Sequence, residues 1–464
     1  MVYDVAIIGA GPGGYVAAIR GSQLGGRICL IEQNEVGGTC LQQGCIPTKA
    51  LISSTDLLRK FQAAEEYGIS LGGPIKPDLD KMMARKDQIV SNLTKGIKAL
   101  LKSQGITLIK GQAAIEAPGT IRVNEESGTP QVVEAQKVII ATGSKPGSVP
   151  GLELDGVRII SSDDAVRLRE IPERLLIVGA GAIGCEFAFI FKPLGSNITM
   201  VELMPQALPQ EDTEIARTLE RELKKNKIKL FTNNKVESLR EEGSDLIATL
   251  TNGQEITADK ILVSIGRAVN VAGLGLERLG VHRGPKGEIS VNNRMETNIP
   301  GIYAIGDVVG GAMLAHVASA EGLVAVENAL GGHKEMDYTV VPAGIFTSPE
   351  VGRVGLTERE AQEKGYTIKT GRFPLRALGK AQAMGELAGL VKLVADAQTD
   401  KLLGAHIIGP SATDLIHEAA LAIQQGIPAK ALAELIHSHP TLSEGIMEAA
   451  HSLYGQAIHL PREQ

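Results

Sequence analysis

The chain contains no tryptophan, and seven phenylalanines and seven tyrosines are its only aromatic residues in 464. Its cores are therefore expected to be aliphatic. Cysteine is equally scarce: four in so long a chain cannot make the disulfide framework of a secreted protein. The run from Met1 to Gly9 enters an apolar strand pattern directly, without the pattern of a signal peptide, and the two observations set the expectation of a cytoplasmic protein. No sign of charge dominates, with 53 acids against 47 bases for a net charge of -6. No Lys/Arg run is long enough to form a patch for nucleic acid or a membrane surface, so neither is expected as a partner. A membrane span is missing as well. The longest apolar stretch, Leu175 to Phe191, is broken by glycines and contains Glu186, which is the pattern of a strand, a turn and a helix.

What the chain has in quantity is glycine, 54 residues of it, which points to many places where backbone approaches backbone or ligand closely. Its length exceeds one hydrophobic core and predicts three or four lobes of ~100 to 150 residues.

Two segments repeat one design. Tyr3 to Gly9 (YDVAIIG) leads into Gly9, Gly11 and Gly14; Arg174 to Gly179 (RLLIVG) leads into Gly179, Gly181 and Gly184. Each GxGxxG follows a β run and precedes a helical stretch. Each is then followed by a second β run that ends in an acid, GRICLIE at Glu32 and SNITMVE at Glu202, both 18 residues past the third glycine. The spacing has a physical reading. The first glycine permits a tight turn, the second lets the backbone approach a pyrophosphate at a helix N-terminus, the third lets helix and strand pack, and the acid binds ribose hydroxyls. One such match could be a glycine-rich turn; two with matching strands, helices and acids predict two dinucleotide sites. Two short β runs, KVIIATG ending at Gly143 and KILVSIG ending at Gly266, are read as closing the two lobes. No arginine follows Glu202 in its loop, which favours NAD over NADP in the second site.

Between Glu32 and the next helical stretch lies GGTCLQQGCIPTK, Gly37 to Lys49, with four residues between Cys40 and Cys45. A zinc site needs two further ligands, and Cys29 inside a β run and Cys185 after the second fingerprint do not offer them, so no metal is expected. Two core cysteines are a second reading, disfavoured by polar Gln42 and Gln43 between them. A reversible thiol/disulfide pair is the sharper one. A thiolate near a helix N-terminus is favoured, and beside a flavin ring it can pass on an electron pair, which assigns FAD to the first lobe. Cys29 and Cys185 are read as structural.

The paired fingerprints, GGTCLQQGCIPTK, TNIPGIYAIGD (Thr297 to Asp307) and HSHPTLSE (His437 to Glu444) together resemble the pyridine nucleotide-disulfide oxidoreductases, in the same order and over essentially the whole chain. Among them the likeness is strongest to those that oxidise dihydrolipoamide. The resemblance implies an α/β chain of two Rossmann-like dinucleotide-binding domains, for FAD and NAD, with a C-terminal α+β interface domain. It places the FAD domain at 1–147 and 269–337, the NAD domain at 148–268 and the interface (dimerisation) domain at 338–464. It implies that Cys40 and Cys45 form the redox disulfide, with Cys45 nearer the flavin and Cys40 exchanging with substrate. It implies Lys49 beside the flavin with Glu186 as its carboxylate partner near the nicotinamide, and Asp307 on the ribityl chain. Gly9, Gly11, Gly14, Glu32, Gly143 and Ala315 complete the FAD set; Gly179, Gly181, Gly184, Glu202 and Gly266 make the NAD set. Thr48 departs from the family's frequent serine, and Gln42 and Gln43 fill the ring between the cysteines, departures that bear on redox tuning and leave the reaction type in place.

Near the C-terminus, Thr441 and Glu444 fit a capping box for a helix opening at TLSE. The resemblance adds a second role there: His439 as the base that deprotonates a dithiol, oriented by Glu444. It makes His437 structural and places His316 in the flavin lobe. It also implies a homodimer whose active site is shared between subunits, and lipoyl groups on 2-oxo-acid dehydrogenase complexes or the glycine cleavage system as partners. The expected reaction is oxidation of a dihydrolipoyl dithiol with reduction of NAD. The rivals are a reductase acting on glutathione-like disulfides, which Glu202 speaks against, a mercuric reductase, which lacks a tail cysteine pair here, and a non-catalytic FAD/NAD-binding protein of the same fold.

Overall fold

The computed structural model describes residues 2–125, 128 and 130–461. The chain begins with β1 (Val2–Ile8), α1 (Pro12–Gln23), β2 (Ile28–Glu32), the short α2 (Gly38–Gln42), α3 (Cys45–Gln62), the long α4 (Leu79–Ser103) and β3 (Thr107–Lys110). A meander of β4 (Gln112–Ala117), β5 (Thr120–Asn124) and β6 (Pro130–Ile140) returns it to the sheet, and β7 (Ser144–Pro146) leaves. The second lobe runs through β8 (Ile159–Ile160), α5 (Ser162–Ala165), β9 (Arg174–Val178), α6 (Ala182–Phe191), β10 (Asn197–Val201), α7 (Thr213–Lys225) and β11 (Lys229–Phe231). Its own meander, β12 (Val236–Glu242), β13 (Asp245–Leu250) and β14 (Glu255–Ala258), leads to β15 (Lys260–Val263). Then β16 (Arg267–Val269) pairs antiparallel with β7, so the chain leaves and re-enters the first lobe through one ribbon. After α8 (Leu276–Leu279) come β17 (Ile302–Ala304) and α9 (Ala315–Ala329).

The two lobes share one topology. Parallel strands run β3-β2-β1-β6 in the first, with β17 against the second half of β6, and β11-β10-β9-β15-β8 in the second. These strands are near-continuous apolar runs because both faces are covered: Val5 to Ile8 and Leu175 to Val178 are all buried. Strand β6 is longer than the KVIIATG run alone indicates. Its first half is antiparallel to β5 and only its second half is parallel to β1.

The last quarter forms an antiparallel sheet ordered β18 (Ala343–Ile345), β19 (Glu350–Gly355), β22 (Leu402–Gly409), β21 (Leu390–Asp396) and β20 (Ile368–Pro374). Along the chain, α10 (Glu358–Glu363) precedes β20, and α11 (Gly379–Met384) precedes β21 and β22. Helix α12 (Ala412–Gln424) packs on β19 and β22; after α13 (Ala429–Glu434), α14 (Glu444–Ser452) packs on β20 and β21. The amphipathic stretch from Asp414 thus covers its own sheet with Ile416 and Ala419, leaving Leu421 outward.

One apolar cluster joins all three parts: Leu51 and Leu58 of α3, Met83 of α4, Phe187 and Phe191 of α6, and Ile345, Val351 and Ile408 of the last sheet. Among the described residues no helix is long and apolar enough to cross a membrane.

Candidate active site

Both glycine fingerprints adopt the geometry their spacing requires. Gly9 and Gly179 sit at φ 105° and 101°, and each donates its N–H across to the neighbouring strand, to Ile31 and Val201. A Cβ on Gly14 would stand 1.9 Å from the Gly9 oxygen, and one on Gly184 2.0 Å from that of Gly179, so helix and turn touch with no room for a side chain. The middle glycines differ: a Cβ on Gly11 would meet only Gly38 at 3.9 Å, and one on Gly181 would meet nothing within 4 Å. Each lobe therefore leaves open the space in which a phosphate would approach the backbone.

The acids match as closely. Glu32 accepts from the Ala10 N–H at 2.7 Å and the Asn34 N–H at 2.8 Å; Glu202 accepts from Ala180 at 2.7 Å and Met204 at 2.9 Å. Each carboxylate is fixed at the rim of its crevice, with lone pairs left for hydroxyl donors.

Helix ends carry a second signal. Helices α4, α5, α7 and α10 open on capping side chains, Asp78, Ser161, Asp212 and Thr357. Helices α1, α6 and α9 open on Gly11, Gly181 and Leu314, with neither a side-chain cap nor an acid in the first turn. Their free N–H groups and positive dipole ends suit anionic groups. Ala315 is the first residue of α9, and Gly143 and Gly266 both take positive φ beside open space.

The cysteine segment is more helical than the sequence suggests. The sequence places Gly37 to Lys49 ahead of the next helix; in the structure α2 holds Cys40, and α3 starts at Cys45. The turn between them, at Gln43 and Gly44, brings the two free thiols near enough for each to shift the ionisation of the other. Helix α3 has no side-chain cap and no acid in its first turn, so its dipole acts on Cys45 directly. The hydrogen bond from Cys40 holds the Cys45 thiol down to about 7 against the opposing effect of burial, with the Lys49 ammonium helping. The same bond, and burial, push Cys40 up. Lys49 lies one turn along α3 from Cys45, its Nζ 2.9 Å from both oxygens of Glu186 and 4.5 Å from the centre of the Phe346 ring. Glu186 is buried and also accepts the Phe346 N–H at 2.9 Å, so residues from all three parts of the chain meet here. Cys29 and Cys185 are fully buried.

Some neighbours of this centre carry no local sequence signal. Gln43 donates to Asp163 at 2.8 Å and accepts from Arg167 at 2.9 Å, which ties the cysteine segment to the second lobe. Gln42 donates to the Val36 carbonyl at 2.8 Å and to Thr94 at 2.9 Å. Asp307 accepts from the Ser144 hydroxyl and stands 3.7 Å from Arg267, at the ribbon linking the two lobes. Thr48 returns its hydroxyl to the Gly44 carbonyl at 2.7 Å.

His439 is elsewhere. Its side chain is 74% exposed, with Nδ1 2.9 Å from Glu444 Oε1, and nothing of its own chain brings it to Cys40 or Cys45. The other oxygen of Glu444 accepts the Thr441 N–H at 2.8 Å, while the Thr441 hydroxyl turns to Ser438. Half of the capping box is therefore present, and the same carboxylate also serves the imidazole. Burial pushes the Glu444 carboxyl up, but the Thr441 N–H and His439 outweigh it and keep it below its ordinary value. His437 is locked between the Leu435 carbonyl and Glu418, and His316 reaches the Pro342 carbonyl from the first turn of α9. Around His439 the chain leaves apolar residues outward: Leu435, and Ile436 at 95% exposure.

Compared with known proteins, residues 3–322 match the model of the family described as pyridine nucleotide-disulphide oxidoreductase, and 341–450 match that family's dimerisation domain. The chain belongs to the pyridine nucleotide-disulphide oxidoreductases. It is 45% identical over 466 residues to the dihydrolipoyl dehydrogenase of Thermus scotoductus, covering 99% of each chain. With the dihydrolipoyl dehydrogenase of Bacillus subtilis it shares 43% identity, over 98% of this chain and 99% of that one. Among solved structures it superposes on LpdA from Mycobacterium tuberculosis with a TM-score of 0.90 at 31% identity, covering 97% and 99% of the two chains. As a member of this family the chain is an FAD- and NAD-dependent disulfide oxidoreductase with an α/β fold, and its dimerisation domain makes it a subunit of a homodimer. The two open glycine cradles, the paired acids and the uncapped helix ends fit two dinucleotides.

Proposed function

We propose that this chain is a dihydrolipoyl dehydrogenase, which oxidises the dihydrolipoyl dithiol to the cyclic disulfide and reduces NAD+ to NADH. The observation that carries the reading is the Cys40/Cys45 pair at the start of α3, backed by Lys49 and Glu186, between two dinucleotide crevices. The first crevice, with Gly9, Gly11, Gly14, Glu32, Gly143, Asp307 and Ala315, takes FAD. The second, with Gly179, Gly181, Gly184, Glu202 and Gly266, takes NAD, since Glu202 suits a free ribose 2'-hydroxyl. The lobes divide at 1–147, 148–268, 269–337 and 338–464, a division that the changes of sheet membership support.

In this mechanism His439, held by Glu444, takes a proton from the substrate dithiol, and the substrate thiolate attacks the Cys40 sulfur of the Cys40–Cys45 disulfide. The second substrate thiol then displaces Cys40, releasing lipoamide and leaving both cysteines reduced, with Cys45 as the thiolate. FAD, when bound, would accept the electron pair given up as the Cys40–Cys45 bond re-forms and would supply it to NAD+. Lys49 keeps positive charge beside that thiolate, and Glu186 holds Lys49 in place. Because His439 is exposed and its hydrogen bond to Glu444 does not tie it to its own cysteines, it serves those of the second subunit, and the site is composite. The substrates are lipoyl groups on proteins of 2-oxo-acid dehydrogenase complexes or the glycine cleavage system, in a cytoplasmic setting where free thiols persist. Anaerobic mixing with dihydrolipoamide and then NAD+ tests the reading. NADH formation supports it, whereas a protein that NADH reduces but dihydrolipoamide does not would send the substrate assignment to another disulfide.

Two glycine variants separate ligand space from packing space. Gly181→Ala is expected to fold normally, within about 0.5 kcal/mol, yet weaken NADH binding at least about tenfold. Gly184→Ala forces a methyl into the Gly179 oxygen and is expected to cost roughly 1–3 kcal/mol or more. Thermal melting and calorimetric titration with NADH check both.

A pH titration tests the cysteine pair. In the dithiol form one thiolate should appear with a midpoint near pH 7, growing as pH rises. Burial pushes Cys29 to about 12 and also pushes Cys185 up, so neither intrudes. Lys49→Met should move the midpoint upward. Thiolate difference absorbance follows both, and an unmoved midpoint in the variant would remove Lys49 from this role.

A further inference from the structure

Outside the redox centre, a dense group of charges lies where the second lobe meets the interface sheet. Lys392, on β21, is buried, and its Nζ stands 2.8 Å from Asp212, 2.7 Å from Glu214 and 2.8 Å from Glu358. Asp212 caps α7 and Glu214 lies in its first turn, while Glu358 opens α10 of the interface sheet. Arg372, on β20, adds bonds to Glu214 at 2.7 Å and Glu358 at 3.2 Å. Arg353, on β19, pairs with Glu211 at 3.1 Å and donates to the Gln210 carbonyl at 3.2 Å.

Such a cluster is a poor glue, because Lys392 and Asp212 have both given up water to form it; what a buried ion group does well is hold one geometry. Glue is already present, since Ala207, Leu208, Ile215 and Leu219 share an apolar cluster with Val351 and Ile408. What the charges hold is the far end of the segment from Leu203 to Asp212. Its near end is Glu202. Its first two residues, Leu203 and Met204, are apolar yet 65% and 48% exposed, directly after Glu202. Midway, Leu208 takes the left-handed conformation at φ 47° and donates its N–H to the Ala180 carbonyl at 2.8 Å, while the Ala207 N–H is held by Glu220 at 2.9 Å. Ala180 lies between the first two glycines of the second fingerprint, so its N–H is fixed by Glu202 and its carbonyl by this segment. Glu211 has one oxygen without a partner, and burial lifts its carboxyl to about 7, so Arg353 is the ion pair that keeps it anchored.

We infer that Lys392 and Arg353 are positioning residues for NAD: from the interface sheet they clamp the 203–212 segment, and through it hold Glu202 and the Gly179–Gly181 turn in the shape that receives the adenosine ribose and pyrophosphate. Neither residue contacts the crevice. The inference rests on the proposed reading of the second crevice as the NAD site. It makes the dimerisation domain part of the nucleotide site's support without giving it a ligand contact.

The test uses Lys392→Met and Arg353→Met in the FAD-loaded protein, with thermal melting as the control for folding. Calorimetric titration should show NADH binding weakened about tenfold in each. Hydrogen exchange should quicken in 203–212, and reduction of the protein by dihydrolipoamide should be unchanged. In turnover the KM for NAD should rise with kcat kept. Should Lys392→Met fail to fold, Arg353→Met decides alone, because its side chain is 28% exposed and its removal leaves the Lys392 group intact. Folded variants that bind NADH like the original chain would overturn the clamp, and so would equal losses in NADH binding and in dithiol reduction. Failure of the original chain to bind NADH would instead overturn the NAD reading of the crevice, and the clamp with it.

Discussion

A Cys45→Ser protein is expected to lose oxidation of dihydrolipoamide by on the order of a thousandfold or more, while its oxidation of NADH with a dye as electron acceptor persists. Without Cys45 no disulfide forms with Cys40, so the substrate thiolate has no sulfur–sulfur bond to attack. Serine offers no substitute, because its hydroxyl neither pairs with Cys40 covalently nor ionises near pH 7. The NADH route enters through the second crevice and does not pass the cysteines. The two assays therefore divide the protein along the proposed electron path. A variant that kept full activity with dihydrolipoamide would remove the cysteine pair from the mechanism, and one that lost both activities would point to misfolding or lost FAD.

His439→Gln carries the second large effect. General-base catalysis contributes roughly 10²–10⁴-fold, and the dithiol reaction should fall by that much while the dye reaction stays. Glu444→Gln should fall less, since the imidazole remains but loses the carboxylate that fixes its tautomer. The stronger experiment mixes the two defects. Unfolding and refolding Cys45→Ser chains together with His439→Gln chains yields hybrid dimers as about half of the population, each with one site in which both residues are intact, if the base comes from the opposite subunit. About a quarter of the original dithiol activity should then return. If base and cysteines belong to one chain, no such site forms in any dimer, and activity stays at the level of the parents.

How much of this was readable from residues alone depended on distance along the chain. The fingerprints are local: strand, turn, helix and acid fall within about thirty residues, and the backbone adopts what each glycine position demands. The hydrophobic runs gave the parallel strands because both faces are buried. Helix α2 has no local signature, because glycines at 37, 38 and 44 and paired glutamines look like a loop, and only the folded context makes that segment helical. The grip of Asp163 and Arg167 on Gln43, and of Lys392 on Asp212, joins residues 120 or more positions apart. Each partner alone is an ordinary polar residue on an ordinary element, so no spacing rule finds the pair. His439 was reached through the family's motif, and its exposed side chain gives that placement a physical sense that the capping pattern of Thr441 and Glu444 lacked.

The bare starts of α1, α6 and α9 bear on more than binding. A helix that opens without a cap leaves N–H groups for something else to satisfy, and here the fitting partners are ligands that the chain cannot make. A bound molecule at a thousand times its dissociation constant adds about 4 kcal/mol to the folded state, a large share of a typical domain's margin. For a protein whose α1 and α9 open toward FAD in this way, vitamin supply is expected to set abundance as well as activity. Cells short of riboflavin should contain less of this chain, because quality-control proteases remove the copies that never acquire their last hydrogen-bond partners.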